Sequence, residues 1–456
     1  MKTSTYILCC ILTVTTIGMT FTTGIESKAN QLWKEQMSRM DKIISEYKLP
    51  KSENQKNSRM IGLPFFDINF VDNFKDETTV HSLRPQDIDI VGAMGDSLTA
   101  ANGAEGQTVA EIGIEYRSIC FSAGGNGTLE ESITVPNILK KFNARLDGYS
   151  YLNGPRVNQY PYGFNVAVPG ARARDMYGQA VRLVDLLKTD DRSNYEDDWK
   201  LVTLFIGGND LCAIGRDPDG ASTETYVAEI RRALDLLHEN VPRLFISIVD
   251  ILEIYLLPQV GTGYGSTPQC RAMQSSFCNY VVVTAKNNET EQERLIAINK
   301  QYQIQLQELI DSGIYDTRDD FTVVIQPFLR DTVLPYTDDG EVDATYFAPD
   351  CFHFSDIGHS MSAINLWNNM LEPVGSKSTV WSITDLKVPT EEHPYLFTSK
   401  NSLPPTPAPP PYEEVTEEVP VWLICVIAVL FVVVLGQFVV LFSMRRSFKN
   451  NKHVLA

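Results

Sequence analysis

Between about residue 86 and residue 371 the chain alternates short, continuously apolar runs with longer stretches of helical period. The apolar runs fall at 88–94, 163–168, 201–206, 243–249 and 321–326, and most are β-branched or uninterrupted in their apolar character. A strand buried on both faces has no reason to alternate, so such runs read as the inner strands of a parallel sheet. The segments 175–188, 223–240, 290–310 and 356–371 carry the 3.6-residue pattern of amphipathic helices. Strands alternating with helices predict an α/β fold, a parallel sheet of about five strands covered on both faces. In such folds the functional cleft forms beyond the carboxyl ends of the strands. No internal repeat is visible.

The two ends of the chain follow other rules. Lys2 precedes an apolar run from Tyr6 to about Met19, and small residues follow near Thr22–Gly24, which predicts a signal peptide over 1–24. A mixed, polar N-terminal extension with a helix near 31–47 occupies 25–80, and the globular section is expected over 81–380. The segment 381–420 turns Pro-rich and acidic, a composition that buries no core and suits a stiff stalk. Residues 421–441 are apolar except for Gly436 and Gln437. At 1.5 Å per residue they span roughly 31 Å, one hydrocarbon core, so a single transmembrane helix is expected over 421–442. Arg445, Arg446, Lys449 and Lys452 lie in the tail 443–456, and positive charge stays in the cytosol. The expected topology is a type I cell-surface protein with its globular part outside.

The net charge of -18 argues against nucleic acid as a partner and leaves membrane contact to apolar surface. Five of the eight cysteines, Cys120, Cys212, Cys270, Cys278 and Cys351, fall on the extracellular side. That compartment permits disulfides, and an odd number leaves one thiol over. The short loop between Cys270 and Cys278 makes those two the expected pair, and no cysteine shows metal-site spacing with histidine. Asn126-Gly127-Thr128 and Asn288-Glu289-Thr290 are acceptor sequences for N-linked glycans.

Candidate chemistry gathers at the strand ends. Gly95-Asp96-Ser97-Leu98 follows the first run, Pro169-Gly170-Ala171 the second, Gly207-Gly208-Asn209-Asp210 the third, and Asp350-Cys351-Phe352-His353 precedes the last helix. A serine hydroxyl attacks only when a base takes its proton, and histidine is the usual base near neutrality. Of six histidines, His453 is in the tail, His393 in the stalk, His238 on the polar end of a helix and His81 at the wrong end of the sheet. His353 and His359 remain. Asp350, three residues before His353, favours His353 as base, and His359 reads as a packing residue of the closing helix. An oxyanion would be held by the N–H groups of Ser97, at a strand-to-helix turn, and of Gly170, which has no side chain to obstruct approach, and by the amide of Asn209.

These blocks resemble the GDSL, or SGNH, hydrolases, a family named for a serine, a glycine, an asparagine and a histidine in separate stretches. The matches are Ser97 in GAMGDSLTAANG, Gly170 in FNVAVPGARARDM, Asn209 in TLFIGGNDLC and His353 in DCFHFSDIGHS, with Asp350 completing the triad. The wording around them is similar to the membrane-associated phospholipase B branch and extends over roughly residues 64–375. The resemblance implies a three-layer α/β/α sandwich, no metal or other cofactor, and hydrolysis of acyl esters of phospholipids and lysophospholipids. Relatives in that branch often carry tandem copies of the domain, and this chain holds one. Two other readings remain at this point: an esterase of the same fold acting on other acyl or acetyl esters, and a non-catalytic receptor or adhesion ectodomain.

Overall fold

The computed structural model describes residues 79–154 and 163–402. The expected signal segment, nearly all of the N-terminal extension, the span over 421–442 and the basic tail lie outside these residues. Among the described residues no helix is long and apolar enough to cross a membrane.

Five parallel strands, β1 (Ile88–Gly95), β2 (Phe164–Asn165), β3 (Trp199–Phe205), β4 (Leu244–Val249) and β5 (Phe321–Gln326), form one sheet in the order β2-β1-β3-β4-β5. Every residue of β3, β4 and β5 is buried, which is why those stretches are apolar without alternation. β2 is shorter than the apolar run that signals it. Its pairing with β1 nevertheless continues, since the N–H groups of Val166 and Val168 donate to the carbonyls of Ala93 and Gly95.

The helices are α1 (Val135–Leu139), α2 (Met176–Thr189), α3 (Gly208–Cys212), α4 (Thr223–Asn240), α5 (Leu257–Val260), α6 (Pro268–Phe277), α7 (Glu289–Asp311) and α8 (Asp356–Met370). The four helices legible in the sequence are α2, α4, α7 and α8. Three begin on the side-chain caps their sequences offer: Ser222 accepts from the Thr225 N–H, Asn288 from Glu291 and Ser355 from Gly358. α2 packs on α4 and α4 on α7, while α8 packs on α1 and β5. α8 is buried on nearly its whole circumference.

The register of the sheet decides where chemistry can sit. Gly95 pairs with Phe205, so β1 and β3 end side by side and their following loops leave the same edge. Gly95 takes φ 157°, and a Cβ at this position would lie 2.5 Å from the Phe205 carbonyl oxygen and 2.4 Å from Thr99 Oγ1. A side chain there would push the two strand ends apart. Gln179 of α2 fastens the same point, donating to the Gly95 carbonyl at 2.8 Å and accepting from its N–H at 2.9 Å.

Two expectations are corrected. The first is the stalk, which does not begin at residue 381. Trp381, Leu386 and Leu396 are buried. The Leu396 N–H donates to Leu83 O and the Phe397 N–H to Met370 O, both at 2.8 Å. Asparagines on α8 satisfy the backbone of this segment: Asn365 donates to Ser382 O and Asn368 to Asp385 O, each at 2.8 Å. A few apolar anchors and a row of side-chain amides thus hold a stretch whose composition reads as unfolded.

The second is the pairing of Cys270 with Cys278. Cys270 bonds Cys351, and Cys278 bonds Cys212, with Cα separations of 5.2 and 4.8 Å. Cys270 lies inside α6 and Cys278 caps it. Eight residues of helix put their Cα atoms roughly 12 Å apart, too far for a disulfide. Cys120 is the buried free thiol among the described residues. Non-reducing peptide mapping should therefore recover Cys212–Cys278 and Cys270–Cys351 and no Cys270–Cys278 loop. Replacing Cys270 and Cys351 together by serine should lower unfolding free energy by about 2–4 kcal/mol, read by denaturant titration.

Candidate active site

Ser97 lies on a single tight turn after β1. The expected helix does not follow it, because Ala101 (φ 54°) and Gly103 (φ 67°) turn the chain within one winding. Asp96, just before it, accepts from the Leu98 N–H at 2.9 Å and so caps that turn.

His353 and Asp350 sit on the loop ahead of α8. This loop is held at several points. Cys351 is in the left-handed region (φ 54°) and is tied to α6 by its disulfide. Gln274 of α6 donates to Cys351 O at 2.8 Å, and the Ala348 N–H donates to His353 O at 2.7 Å. The His353 ring meets Phe277 and Phe352 edge to face.

The result is a continuous hydrogen-bonded chain. His353 Nε2 lies 2.8 Å from Ser97 Oγ, and His353 Nδ1 lies 2.5 Å from Asp350 Oδ2. Asp350 is fully buried, and its other oxygen accepts from the N–H groups of Phe352 and His353 at 3.1 Å each. An ionised carboxylate only accepts, so it sets the proton on Nδ1 and leaves Nε2 as the acceptor for the serine O–H. Ser97 and His353 are 7% and 6% exposed, enough for a reactant to touch them and too little for bulk water to surround them.

Gly170 emerges from the loop after β2 with φ 78°, a conformation that strains any residue with a Cβ. Among the described residues the Ser97 and Gly170 N–H groups donate to no protein acceptor. Asn209 differs from expectation on this point. It lies in α3, a helix too short for periodicity to reveal, and its amide already donates twice, to Ala171 O at 3.0 Å and to Asp96 Oδ2 at 3.2 Å.

Charge around the site is buried. Burial pushes the Asp96 carboxyl up to about 7, against the Leu98 N–H and nearby His353, which favour its charged form; Asp210 reinforces the rise. Burial likewise raises Asp210 to about 6. Asp210 receives the Ala173 N–H at 3.1 Å and Arg172 Nε at 3.3 Å, joining α3 to the Gly170 loop.

His359 takes no part in the chain. Burial holds its ring down to about 3, it packs against Phe121 and Phe354, and its Nδ1 accepts from the Phe121 N–H at 3.4 Å. His81 contacts Thr398, and His238 packs on Phe321 near the opposite end of the sheet. A cavity of about 200 Å³ bounded by Tyr255, Pro258, Val281 and Leu295 contains none of the site residues in its wall. No cluster of three or more potential metal ligands occurs among the described residues.

Residues 91–366, more than half of the chain, match the family model of the GDSL-like lipases/acylhydrolases. The chain belongs to this family. It is also 44% identical over 332 residues to "Phospholipase B1, membrane-associated" of Rattus norvegicus, and 42% identical over 330 residues to the protein of that name in Homo sapiens. Each match covers 71% of this chain but only 23% and 22% of the relatives, so the chain spans less than a quarter of their length. A crystal structure from Parabacteroides merdae named for a GDSL-like lipase overlaps with a TM-score of 0.32 at 14% identity, covering 64% of this chain and 97% of that one. So loose an overlap adds nothing to the fold. The matched range 91–366 includes Ser97, Gly170, Asn209, Asp350 and His353.

Sequence reasoning missed what holds those blocks in place. The fastening of Gly95 by Gln179, the Arg172–Asp210 pair and the two disulfides to α6 join residues 38 to 84 positions apart. The odd cysteine count was the one available signal, and it does not specify partners. Asp350→Asn tests the ordering of the His353 tautomer. It keeps an oxygen for the two backbone donors but offers Nδ1 an N–H. Ester turnover should fall about 10⁴-fold in kcat with the thermal unfolding transition preserved.

Proposed function

We propose that this chain is a serine hydrolase of carboxylic esters whose substrates are phospholipids and lysophospholipids. The observation that carries the reading is the unbroken contact from Asp350 through His353 to Ser97. A buried serine–histidine pair backed by a carboxylate has little structural value to offset the cost of desolvating it; as a nucleophile, base and orienting acid it has a clear use.

In this mechanism His353 Nε2 takes the Ser97 proton as Oγ attacks the ester carbonyl. Asp350 stabilises the imidazolium that forms. The Ser97 and Gly170 N–H groups and the Asn209 amide receive the developing oxyanion. Collapse of the tetrahedral adduct breaks the ester C–O bond, and His353 returns the proton to the departing alcohol or lysolipid. Water then attacks the acyl-serine by the same route, releasing the fatty acid and restoring Ser97.

The substrate class is supported by the relatives' name, phospholipase B1, and by the family's lipase/acylhydrolase description. A type I arrangement with a signal peptide over 1–24, a span over 421–442 and a stalk beginning after residue 402 would present the domain at an outer lipid surface. The disulfides suit that compartment. Asn126 and Asn288 are exposed, as glycan acceptors must be.

Ser97→Ala should be secreted and folded yet lose esterase activity, and a fluorophosphonate probe should label the wild-type protein at Ser97 alone. Full activity in that variant, or labelling elsewhere, would sink the reading. Purified ectodomain offered diacyl phospholipid, lysophospholipid and a soluble short-chain ester should release fatty acid faster from the two lipids. A preference for the short ester would keep the nucleophile and remove the substrate class.

A further inference from the structure

Asn209 occupies an unusual position for an oxyanion donor. A side-chain amide can turn over about its last torsion and present either its NH2 or its oxygen, at little intrinsic cost. The two orientations have opposite effects on a forming oxyanion: one donates a hydrogen bond and the other places an oxygen against a negative charge. Something must choose between them. Asn209 is the second residue of α3, only partly buried, and the hydrogen bonds of its amide run to residues outside that helix.

Two acceptors from the neighbouring strand ends bracket it. Ala171 O follows β2 and Asp96 Oδ2 follows β1, at 3.0 and 3.2 Å from the amide nitrogen. We infer that Asp96 is a positioning residue, whose carboxylate, with the Ala171 carbonyl, locks the Asn209 amide with its NH2 toward the Ser97 side. The inference rests on the oxyanion role proposed above for Asn209.

The carboxylate suits this task in its ionised form, which predominates only above about pH 7, because it then has no hydrogen to offer and rejects the flipped amide. Its other oxygen is committed to the Leu98 N–H, which fixes its own orientation. It is buried with 3% exposure, so water does not substitute as partner. Its placement is costly, since burial works against its charge. A turn cap alone would not call for an acid, because serine or asparagine caps as well. The two amide hydrogens are thus aimed before substrate arrives, and an oxyanion shares one of them with a weakly held partner.

The test is a double-mutant cycle on the full ectodomain with a lysophospholipid substrate. Asn209→Ala alone should lower kcat about 10²–10³-fold, as loss of one oxyanion donor does. Asp96→Ala should lower kcat about 10–10²-fold with KM unchanged. Asp96→Ala combined with Asn209→Ala should be no slower than Asn209→Ala alone, because Asp96 acts only through that amide.

Asp96→Asn is the second variant, for use if the alanine form does not fold. It is isosteric and relieves the buried charge. Its oxygen should stay with the Leu98 N–H, turning its own NH2 toward Asn209, so the amide then faces one acceptor and one donor. It should lose kcat as Asp96→Ala does while unfolding no earlier than wild type. Independent, multiplying losses in the double mutant, or full activity in Asp96→Asn, would overturn the positioning role. An Asn209→Ala enzyme as fast as wild type would instead remove Asn209 from the oxyanion site, a failure of the mechanism proposed above and separate from any failure of the lock.

Discussion

The hydrogen bond between His353 and Ser97 joins residues 256 positions apart, and much of the described structure serves to keep those two atoms at 2.8 Å. A contact of that kind is fragile in energy terms. A single hydrogen bond contributes on the order of 1 kcal/mol net, well below the entropy lost in ordering the chain that makes it. It exists because the parallel sheet has already brought the ends of β2, β1 and β3 to one edge. The buried apolar residues of β1 and β3 fund that arrangement, each fully buried aliphatic or aromatic side chain contributing about 1.5–3 kcal/mol.

The sheet places Ser97, Gly170 and Asn209, but His353 comes from a loop outside it. Here the constraint is covalent. Both disulfides leave one element: Cys270 in α6 reaches Cys351, between Asp350 and His353, and Cys278 at its end reaches Cys212, the last residue of α3. α6 is therefore tied at once to the loop that carries His353 and to the helix that carries Asn209. The Gln274 side chain, bonded to both Leu257 O and Cys351 O, adds a polar tie at the same place. Loops hold functional groups well only when something rigid backs them.

What the sequence made legible follows from which forces leave a local trace. Strands buried on both faces leave continuous apolar runs, and long helices leave a 3.6-residue period, so all five strands and α2, α4, α7 and α8 were foreseeable to within a few residues. The site blocks were readable too, because glycine, serine, asparagine and the acid–histidine pair sit immediately after apolar runs. α3 has five residues and leaves no period. Cys270 and Cys278 are near in sequence but not in space, because the helix α6 holds them apart. The stretch 381–402 leaves no local trace of its packing because Trp381, Leu386 and Leu396 are dispersed among polar residues. Their burial depends on α8 asparagines that only the tertiary structure brings alongside.

The same distinction bears on how the site divides its labour. Residues proposed to meet the reacting atoms are announced by type, while those proposed to orient them are not. Asp96 is adjacent to Ser97 and reads locally as a turn cap; its contact with Asn209 crosses 113 positions of chain. Arg172 and Asp210 give no local sign of a partner, and they join the Gly170 loop to α3 from within. Each of these acids is buried at a cost to its charge, and each makes its long-range contacts to a segment bearing a proposed oxyanion donor. Polar burial that weakens a fold is retained where it fixes an orientation that packing cannot. An amide that can turn over within its own volume is such a case, since van der Waals contact barely distinguishes oxygen from NH2 and only an acceptor with no hydrogen to offer does.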